Sequence, residues 1–359
     1  MVGKRAKVFV GLSGGVDSST AAALLLEEGY DCAGVFMITS DKSEITQADA
    51  EAVAKNLGIK LYVLDLRRDF EQVLDYFCSE YKRGRTPNPC VFCNRHIKFG
   101  KLWTFAVANG ADLLATGHYA RILRANDDVG LYEAADIAKD QSYALAMIDR
   151  SVLSHVIFPL GGQSKDQTRK MAAKLGIDTE KKEESQEICF IADDYVTALE
   201  QRYPELVKRG NIVDSNGKIL GGHRGVHRFT IGQRRGLRVA MGKPYYVVKI
   251  DAESNTITLG PKEEVMCSKL TASGLNWLVK EANSVFRARV KVRYNDRGAG
   301  ATVISEGASA IVEFDELNLA ITPGQLAAFY EQESRAGTEV QNGFASRVIG
   351  GGWIDNAIY

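Results

Sequence analysis

The octapeptide Gly11-Leu12-Ser13-Gly14-Gly15-Val16-Asp17-Ser18 constrains this chain more than any other feature. It follows a hydrophobic run over residues 7–12 that reads as a buried strand, and it leads into a run over 19–28 that reads as a helix. Paired glycines allow tight turns that side chains resist. Ser13, Ser18 and Ser19 add hydroxyl donors. A turn of this composition between strand and helix points backbone N–H groups and the positive end of the helix at one spot, which suits an anion such as a phosphate. The lysine of the common phosphate loop is missing. Asp17 repels an anion, so its expected part is loop structure or a hold on Mg²⁺. A glycine-serine turn that only caps a helix is the alternative, and the position directly after a strand argues against it.

The pattern around the loop repeats. Strands are expected over 32–38, 60–66 and 112–116, with helices over 44–57, 69–83 and 166–175. In the second of these helices Phe70, Val73, Leu74, Phe77, Cys78 and Tyr81 share one face, and Ser164 with Gln167 forms a capping box before the third. Alternating strand and helix implies an α/β fold, a doubly wound parallel sheet covered on both faces. Beyond about residue 203 the texture changes to short alternating runs between glycine-rich turns, such as 244–250, 256–259 and 285–294. With 359 residues, 45% of them hydrophobic, more than one domain is expected. The divisions read as 1–206 for the nucleotide-binding domain, 207–265 for a small central β domain and 266–359 for a C-terminal β-barrel.

No apolar run approaches a membrane span, and the apolar stretch after the basic N-terminus is too short for a signal peptide. A cytoplasmic location is expected, and with it reduced thiols, so the six cysteines need separate accounts. Cys32 and Cys78 read as core residues, and Cys267 shows no sign of function. Cys90 and Cys93 lie in Pro87-Asn88-Pro89-Cys90-Val91-Phe92-Cys93-Asn94, a proline-fixed loop amid Lys82, Arg83, Arg85, Arg95, His96, Lys98 and Lys101. Such a field favours thiolates. Cys189 stands in Ser185-Gln186-Glu187-Ile188-Cys189-Phe190. Three thiols in a reducing compartment point to sulfur chemistry, redox or a metal. Formal net charge is zero, so any nucleic-acid signal is local. Arg287, Arg289, Lys291 and Arg293 alternate with Ala288, Val290, Val292 and Tyr294, which on a strand puts four cations on one face. A second acid-free cluster over 223–238 holds Arg224, Arg228, Arg234, Arg235 and Arg238. Both are expected to follow RNA phosphates, so that reversing Arg289 and Lys291 would weaken RNA binding and flatten its salt dependence.

The octapeptide resembles the ATP-pyrophosphatase loop. With it, in one order, come Gly84-Arg85-Thr86-Pro87-Asn88-Pro89, Cys93-Asn94, Ala115-Thr116-Gly117-His118, Lys139-Asp140-Gln141-Ser142, Ile188-Cys189-Phe190-Ile191, Gly232-Gln233-Arg234-Arg235-Gly236 and Thr322-Pro323-Gly324-Gln325. From end to end this is similar to the bacterial tRNA-specific 2-thiouridylase family. The resemblance implies conversion of the wobble uridine of tRNA to 2-thiouridine, with ATP and Mg²⁺, and with sulfur from a cysteine desulfurase or relay protein. It implies that Cys189 carries a persulfide and that Cys93 is the nucleophile that pairs with it. It implies that Gly11 to Ser18, Met37 and Gly117 contact ATP, that Asn88, Pro89 and Cys90 touch the target base, and that His118, Lys139, Asp140, Gln141, Arg293, Tyr294 and Gln325 face tRNA.

The chemistry is sound on general grounds. A uridine carbonyl oxygen leaves poorly until adenylated, and a persulfide hands over its terminal sulfur while a second thiol resolves the remaining bond. The target base is expected to flip into the cleft. One position departs from the family: many members carry Asp where this chain has Cys90. Three candidate thiolates, Cys90, Cys93 and Cys189, then open a second route, a four-iron, four-sulfur cluster whose open iron carries the sulfur. Two other readings compete, an amidating or argininosuccinate-forming ligase and a non-catalytic RNA-binding protein. His118 as a general base is a further option.

Overall fold

The computed structural model describes residues 5–41, 43–125, 128–176, 195–239, 242–332, 339–340 and 343–358. Cys189, proposed above as the persulfide carrier, lies outside them.

The chain begins with β1 (Lys7–Gly11), α1 (Val16–Glu27), β2 (Asp31–Ile38), α2 (Ser43–Leu57), β3 (Lys60–Asp65) and α3 (Arg67–Lys82). A short helix α4 (Pro89–Cys93), a π-helical stretch (Asn94–Leu102) and α5 (Trp103–Ala108) form one continuous rod before β4 (Leu113–Ala115). A hairpin, β5 (Arg121–Ala125) and β6 (Asp128–Tyr132), leads to α6 (Ser142–Leu145), β7 (Val156–Ile157) and α7 (Lys165–Lys174). Among the described residues β3-β2-β1-β4-β7 form a parallel sheet in that order. Alternation along β1 feeds two cores. Val8 and Val10 pack with Ala22 and Leu25 of α1 and Ala50 of α2. Phe9 points the other way, to Phe99, Leu102 and Ala106 of the rod. The carboxyl ends of β1 and β4, paired at Val10 and Ala115, flank the place where strand order reverses, where ligands bind in open sheets of this kind.

α8 (Tyr195–Arg202) precedes a sheet ordered β10-β11-β8-β9, from β8 (Gly210–Asp214), β9 (Ile219–His223), β10 (Tyr246–Asp251) and β11 (Thr256–Gly260). Then come β12 (Met266–Trp277), β13 (Val285–Lys291), β14 (Ala299–Glu306), β15 (Ser309–Leu319), β16 (Leu326–Tyr330), the small pair β17 (Glu339–Val340) and β18 (Gly343–Phe344), and β19 (Val348–Ile358). Of these, β12-β15-β14-β13-β16-β19 close into a barrel. The barrel is fastened to the first domain. Leu326, Ala328 and Tyr330 enter the core beneath the parallel sheet, and Tyr143 Oη donates to the Leu326 carbonyl at 2.9 Å. No helix among the described residues is long and apolar enough to cross a membrane.

The amphipathic stripe of α3 forms: Phe70, Val73, Phe77, Cys78 and Tyr81 are buried, and Leu74 is half-buried. So does the capping box, with both of its hydrogen bonds present. Three expectations need correction. Helix α1 starts at Val16 rather than residue 19, so Asp17 and Ser18 stand in its first turn. Residues 89–93 are helical rather than loop, because Pro89 fits the first helical position and the Asn88 side chain accepts from Val91 N–H at 3.3 Å. The third concerns the basic strand. Alternation along β13 is real, but Arg289 and Lys291 face the first domain. Lys291 Nζ lies 3.0 Å from Glu133 and 3.5 Å from Asp140, and Arg289 Nη2 lies 2.7 Å from Glu133. Lys291 is buried, and Arg287 is matched by Asp315. β13 ends at Lys291, which leaves Arg293 and Tyr294 exposed in the turn beyond it. The cations serve docking because carboxylates from distant sequence meet them.

Candidate active site

The cradle is built from the end of β1. Gly14 has φ +75°, and a Cβ there would lie 2.7–2.8 Å from Asp49 and the Ala50 amide. Only glycine fits, since both the conformation and the space exclude a side chain. Gly15 is the N-cap of α1, and no side chain caps that end. The N–H groups of Val16, Asp17 and Ser18 therefore lack the intrahelical acceptors that later residues have. Hydroxyls brace the loop: Ser18 Oγ accepts from Ser13 N–H at 3.2 Å and donates to the Gly15 carbonyl at 3.1 Å, while Ser19 donates to the same carbonyl at 2.8 Å. Leu12 is buried in the core, its N–H bonded to the Val35 carbonyl. Gly11 closes β1. An uncapped helix end in a glycine turn fits the phosphates of a nucleotide.

The segment after β4 closes one side. Gly117 is pressed against the loop, and a Cβ there would meet the Asp17 carbonyl carbon and the Ser18 amide at 2.8 Å. Tyr119 Oη donates to Asp17 Oδ1 at 3.0 Å. Lys165, the first residue of α7, reaches both Asp17 oxygens at 2.7 and 2.9 Å. Sequence reasoning missed Lys165. Its signal is a cation in the first turn of a helix, where the helix dipole disfavours it, the kind of local conflict that marks functional sites.

His118 does not stand at an open surface. It is buried between the Phe99 and Phe158 rings. Its Nδ1 pairs with Thr116 Oγ1 at 2.7 Å, and Nε2 lies 3.5 Å from Lys98 Nζ. Burial, and then the Lys98 charge, hold its pKa well below the ordinary value, so the ring is neutral at physiological pH. Asp140 is likewise enclosed. It accepts from Ala134 N–H at 2.9 Å and from the Ser142 hydroxyl at 2.7 Å, and burial raises its pKa. Neither side chain meets the RNA-facing expectation, because His118 is enclosed beside Thr116 and Lys98, and Asp140 is spent on Ala134, Ser142 and the barrel's Lys291. Gln141 braces the Tyr119 backbone from both sides, at 2.8 and 2.9 Å. Lys139 is half-buried at the end of the preceding turn.

On the cysteine helix Cys90 is exposed and Cys93 buried. Cys93 packs with Leu66, Phe70, Val73 and Ile97, and Met37 joins that cluster from the end of β2. The barrel holds the approach to the helix: Gln325 Nε2 donates to the Thr86 and Pro87 carbonyls at 3.1 and 3.0 Å, and its Oε1 is 3.4 Å from Asn88 Nδ2. Pro89 is buried in the helix. Tyr294 meets the Tyr143 ring edge-on, and burial raises its phenol pKa. The surrounding cations are partly neutralised, since Lys82 pairs with Glu205, Arg83 and Arg85 with Glu80, and Lys101 with Asp69. Among the described residues no group of three His, Cys, Asp or Glu side chains is arranged to hold a metal.

Residues 6–193 match a family model described as the tRNA methyl transferase HUP domain, 197–261 the tRNA methyl transferase PRC-barrel domain, and 267–354 the aminomethyltransferase beta-barrel domain. The chain is 43% identical to the tRNA-specific 2-thiouridylase MnmA of Syntrophotalea carbinolica, over 98% of this chain and 99% of that one. It is 46% identical to the protein of the same name from Carboxydothermus hydrogenoformans, over 93% and 96%. A solved structure of the U34-tRNA thiolase NcsA from Methanococcus maripaludis, with its four-iron, four-sulfur cluster, aligns over 57% of this chain and 68% of that one at 21% identity and a TM-score of 0.36. Relatedness over nearly the full length of both chains, with the phosphate loop and the cysteine helix in place, makes this chain a member of the tRNA-specific 2-thiouridylase family.

Proposed function

We propose that this enzyme replaces the C2 carbonyl oxygen of the wobble uridine of tRNA with sulfur, using ATP and Mg²⁺. The observation that carries this reading is a single apolar cluster. Met37 ends β2, the strand paired with β1 up to Gly11 at the start of the loop, and packs on the group of residues that buries Cys93; an adenosine held against Met37 would bring the nucleotide toward the thiol. Methyl transfer, mentioned in the family-model descriptions, fits less well, because it needs neither a phosphate cradle nor a buried thiol beside it.

The carbonyl oxygen attacks the α-phosphorus and pyrophosphate leaves from the cradle. Asp17 and the loop hydroxyls would hold Mg²⁺ and the phosphates. A persulfide on Cys189, loaded by a cysteine desulfurase or relay protein, attacks C2 through its terminal sulfur, and AMP leaves. Cys93 then attacks Cys189 Sγ, which frees the 2-thiouridine and leaves a Cys93–Cys189 disulfide for a reductant to reopen. Asn88, Pro89 and Cys90 would border the flipped base, with Lys139, Gln141, Arg293, Tyr294 and Gln325 around it.

The decisive experiment incubates the protein with unmodified tRNA, ATP, Mg²⁺ and a sulfur source, then digests the RNA for mass spectrometry. 2-Thiouridine with stoichiometric AMP is expected. AMP formed instead on a small amine acceptor would overturn the reading in favour of a ligase, and no product at all would favour a binding protein. Ser18→Ala and Asp17→Ala are expected to lower AMP formation by roughly 10²-fold or more, as loss of one preorganised contact does elsewhere. Iron and sulfide analysis after anaerobic purification separates the persulfide route from a cluster on Cys90, Cys93 and Cys189: full thiolation by an iron-free protein supports the persulfide.

A further inference from the structure

We propose that Lys98 is a catalytic cation of this reaction, its ammonium held by His118 so that it meets the α-phosphoryl group between the cradle and Cys93. This inference rests on the pyrophosphatase reading of the cradle and on Cys93 as the thiol of the same reaction.

Lys98 stands on the rod between two landmarks. Cys93 precedes it by one i to i+5 turn of the π-helical stretch. After it, Leu102 passes under the end of β1: a Cβ on Gly11 would lie 3.5 Å from Leu102 Cδ2 and 3.6 Å from Thr116 Cγ2. Lys98 therefore occupies the length of rod that joins the thiol to the start of the loop. Its partner comes from the other side. His118 follows Gly117, the residue pressed on the Asp17 and Ser18 backbone. An ammonium only donates, so His118 Nε2, 3.5 Å from Lys98 Nζ, is the acceptor. The ring proton then sits on Nδ1 and is donated to Thr116 Oγ1 at 2.7 Å. The Phe99 and Phe158 rings on either side hold the imidazole in that orientation.

Cations nearby are matched, Lys82 by Glu205, Arg85 by Glu80 and Lys101 by Asp69. Among the described residues half-buried Lys98 has no carboxylate partner and faces a buried, neutral imidazole instead. A contact of 3.5 Å is near the limit of a hydrogen bond, and an ammonium carries further hydrogens that this acceptor does not use. A neutral acceptor orients the cation and leaves its charge unspent, where a carboxylate in the same place would cancel it. Such a preorganised charge stabilises an anion that forms in front of it.

The uracil oxygen bonds to the α-phosphorus as the bond from that phosphorus to the pyrophosphate oxygen breaks, and the electron pair leaves with pyrophosphate. Next a sulfur–C2 bond forms, the C2–O bond breaks, and the electron pair leaves with AMP. The α-phosphoryl oxygens take part in both steps. The ammonium faces them in each, and neither a proton nor an electron passes through it.

The test is calorimetric binding of AMP, Mg²⁺-ATP and Mg²⁺-pyrophosphate to wild type, Lys98→Met and Lys98→Arg, with single-turnover AMP formation on unmodified tRNA and thermal melts alongside. Lys98→Met is expected to weaken AMP and ATP by about tenfold or more and to change pyrophosphate less than about twofold. It is expected to slow AMP formation by roughly 10²-fold, and Lys98→Arg to recover part of each loss. Unchanged AMP affinity would overturn the proposal. So would a loss confined to pyrophosphate, or equal weakening of all three ligands, which marks a merely structural residue. Lys98→Gln keeps the test open should Lys98→Met fail to fold, with the same pattern expected and the same outcomes against it. His118→Leu removes the acceptor and is expected to lower turnover at saturating ATP by roughly tenfold. His118→Gln, which returns an acceptor, is expected to recover part of that, and equal turnover in the two variants would remove His118 from its positioning role. A protein whose AMP affinity depends on Lys98 but which forms no 2-thiouridine on tRNA would sink the thiolation reading and leave the phosphoryl contact standing.

Discussion

Gly117→Ala is expected to cut AMP formation by roughly 10²-fold in a protein that still folds. The new Cβ would stand 2.8 Å from the Asp17 carbonyl carbon and the Ser18 amide, and 3.1 Å from Asp17 Cβ. Two of these are backbone atoms at the start of α1, so no flexible side chain can swing aside. The helix end or the edge after β4 must shift by about 0.6 Å or more to bring the 2.8 Å contacts to an ordinary 3.4 Å or beyond. Overpacking of this kind costs about 1–3 kcal/mol, which a domain of this size tolerates. The chemistry does not, because a misplacement of about 1 Å is worth ~10²-fold in rate. Gly162→Ala is the control, as nothing lies within 4 Å of a Cβ there. Single-turnover AMP formation and the melting midpoint are measured on both. A Gly117→Ala enzyme that turns over like its control would show that the cradle does not depend on this contact.

What was legible in the sequence was local. The loop, the α3 stripe and the capping box each rest on contacts within a few turns, and the parallel sheet follows from their alternation. The rod from Pro89 to Ala108 was not legible. Its buried positions include Ile97 and Leu102, five residues apart, the spacing of a π turn rather than an α turn. Periodicity at 3.6 therefore dissolves there. The site's electrostatics were legible only in part. Lys165 stands 148 residues from Asp17, and Glu133 lies 156 residues from Arg289. Alternation put the cations of β13 on one face correctly, but a strand pattern carries no record of what that face meets.

That last partnership sets the second large effect. Lys291→Met is expected to destabilise the protein by up to about 3–5 kcal/mol, because it removes the ammonium 3.5 Å from buried Asp140 and leaves Glu133 with Arg289. Lys291 and Glu133 side chains are each 6% exposed, and Asp140 is 2% exposed. Burial pushes Glu133 up, but hydrogen bonds and charges from Arg289 and Lys291 outweigh it and hold its pKa below the ordinary 4.5. Its contribution is therefore present above 4.5 and is lost as pH falls through the lower, folded value. Asp140 is the opposite case. Burial raises its pKa, so its ionised form costs stability as pH rises through that value. Without Lys291 both carboxyls should titrate higher, and protonation should relieve both. The stability gap between wild type and Lys291→Met is thus expected to be widest near neutrality and to narrow toward pH 4, in urea titrations followed at each pH. The triple change Lys291→Met, Glu133→Gln, Asp140→Asn should recover part of the loss, since no buried carboxylate is then left unpaired by the missing ammonium. If Lys291→Met instead left stability untouched and reduced the salt slope of tRNA binding by about one, the cation would face RNA, and the docking role derived from its 3.0 Å contact with Glu133 would be wrong.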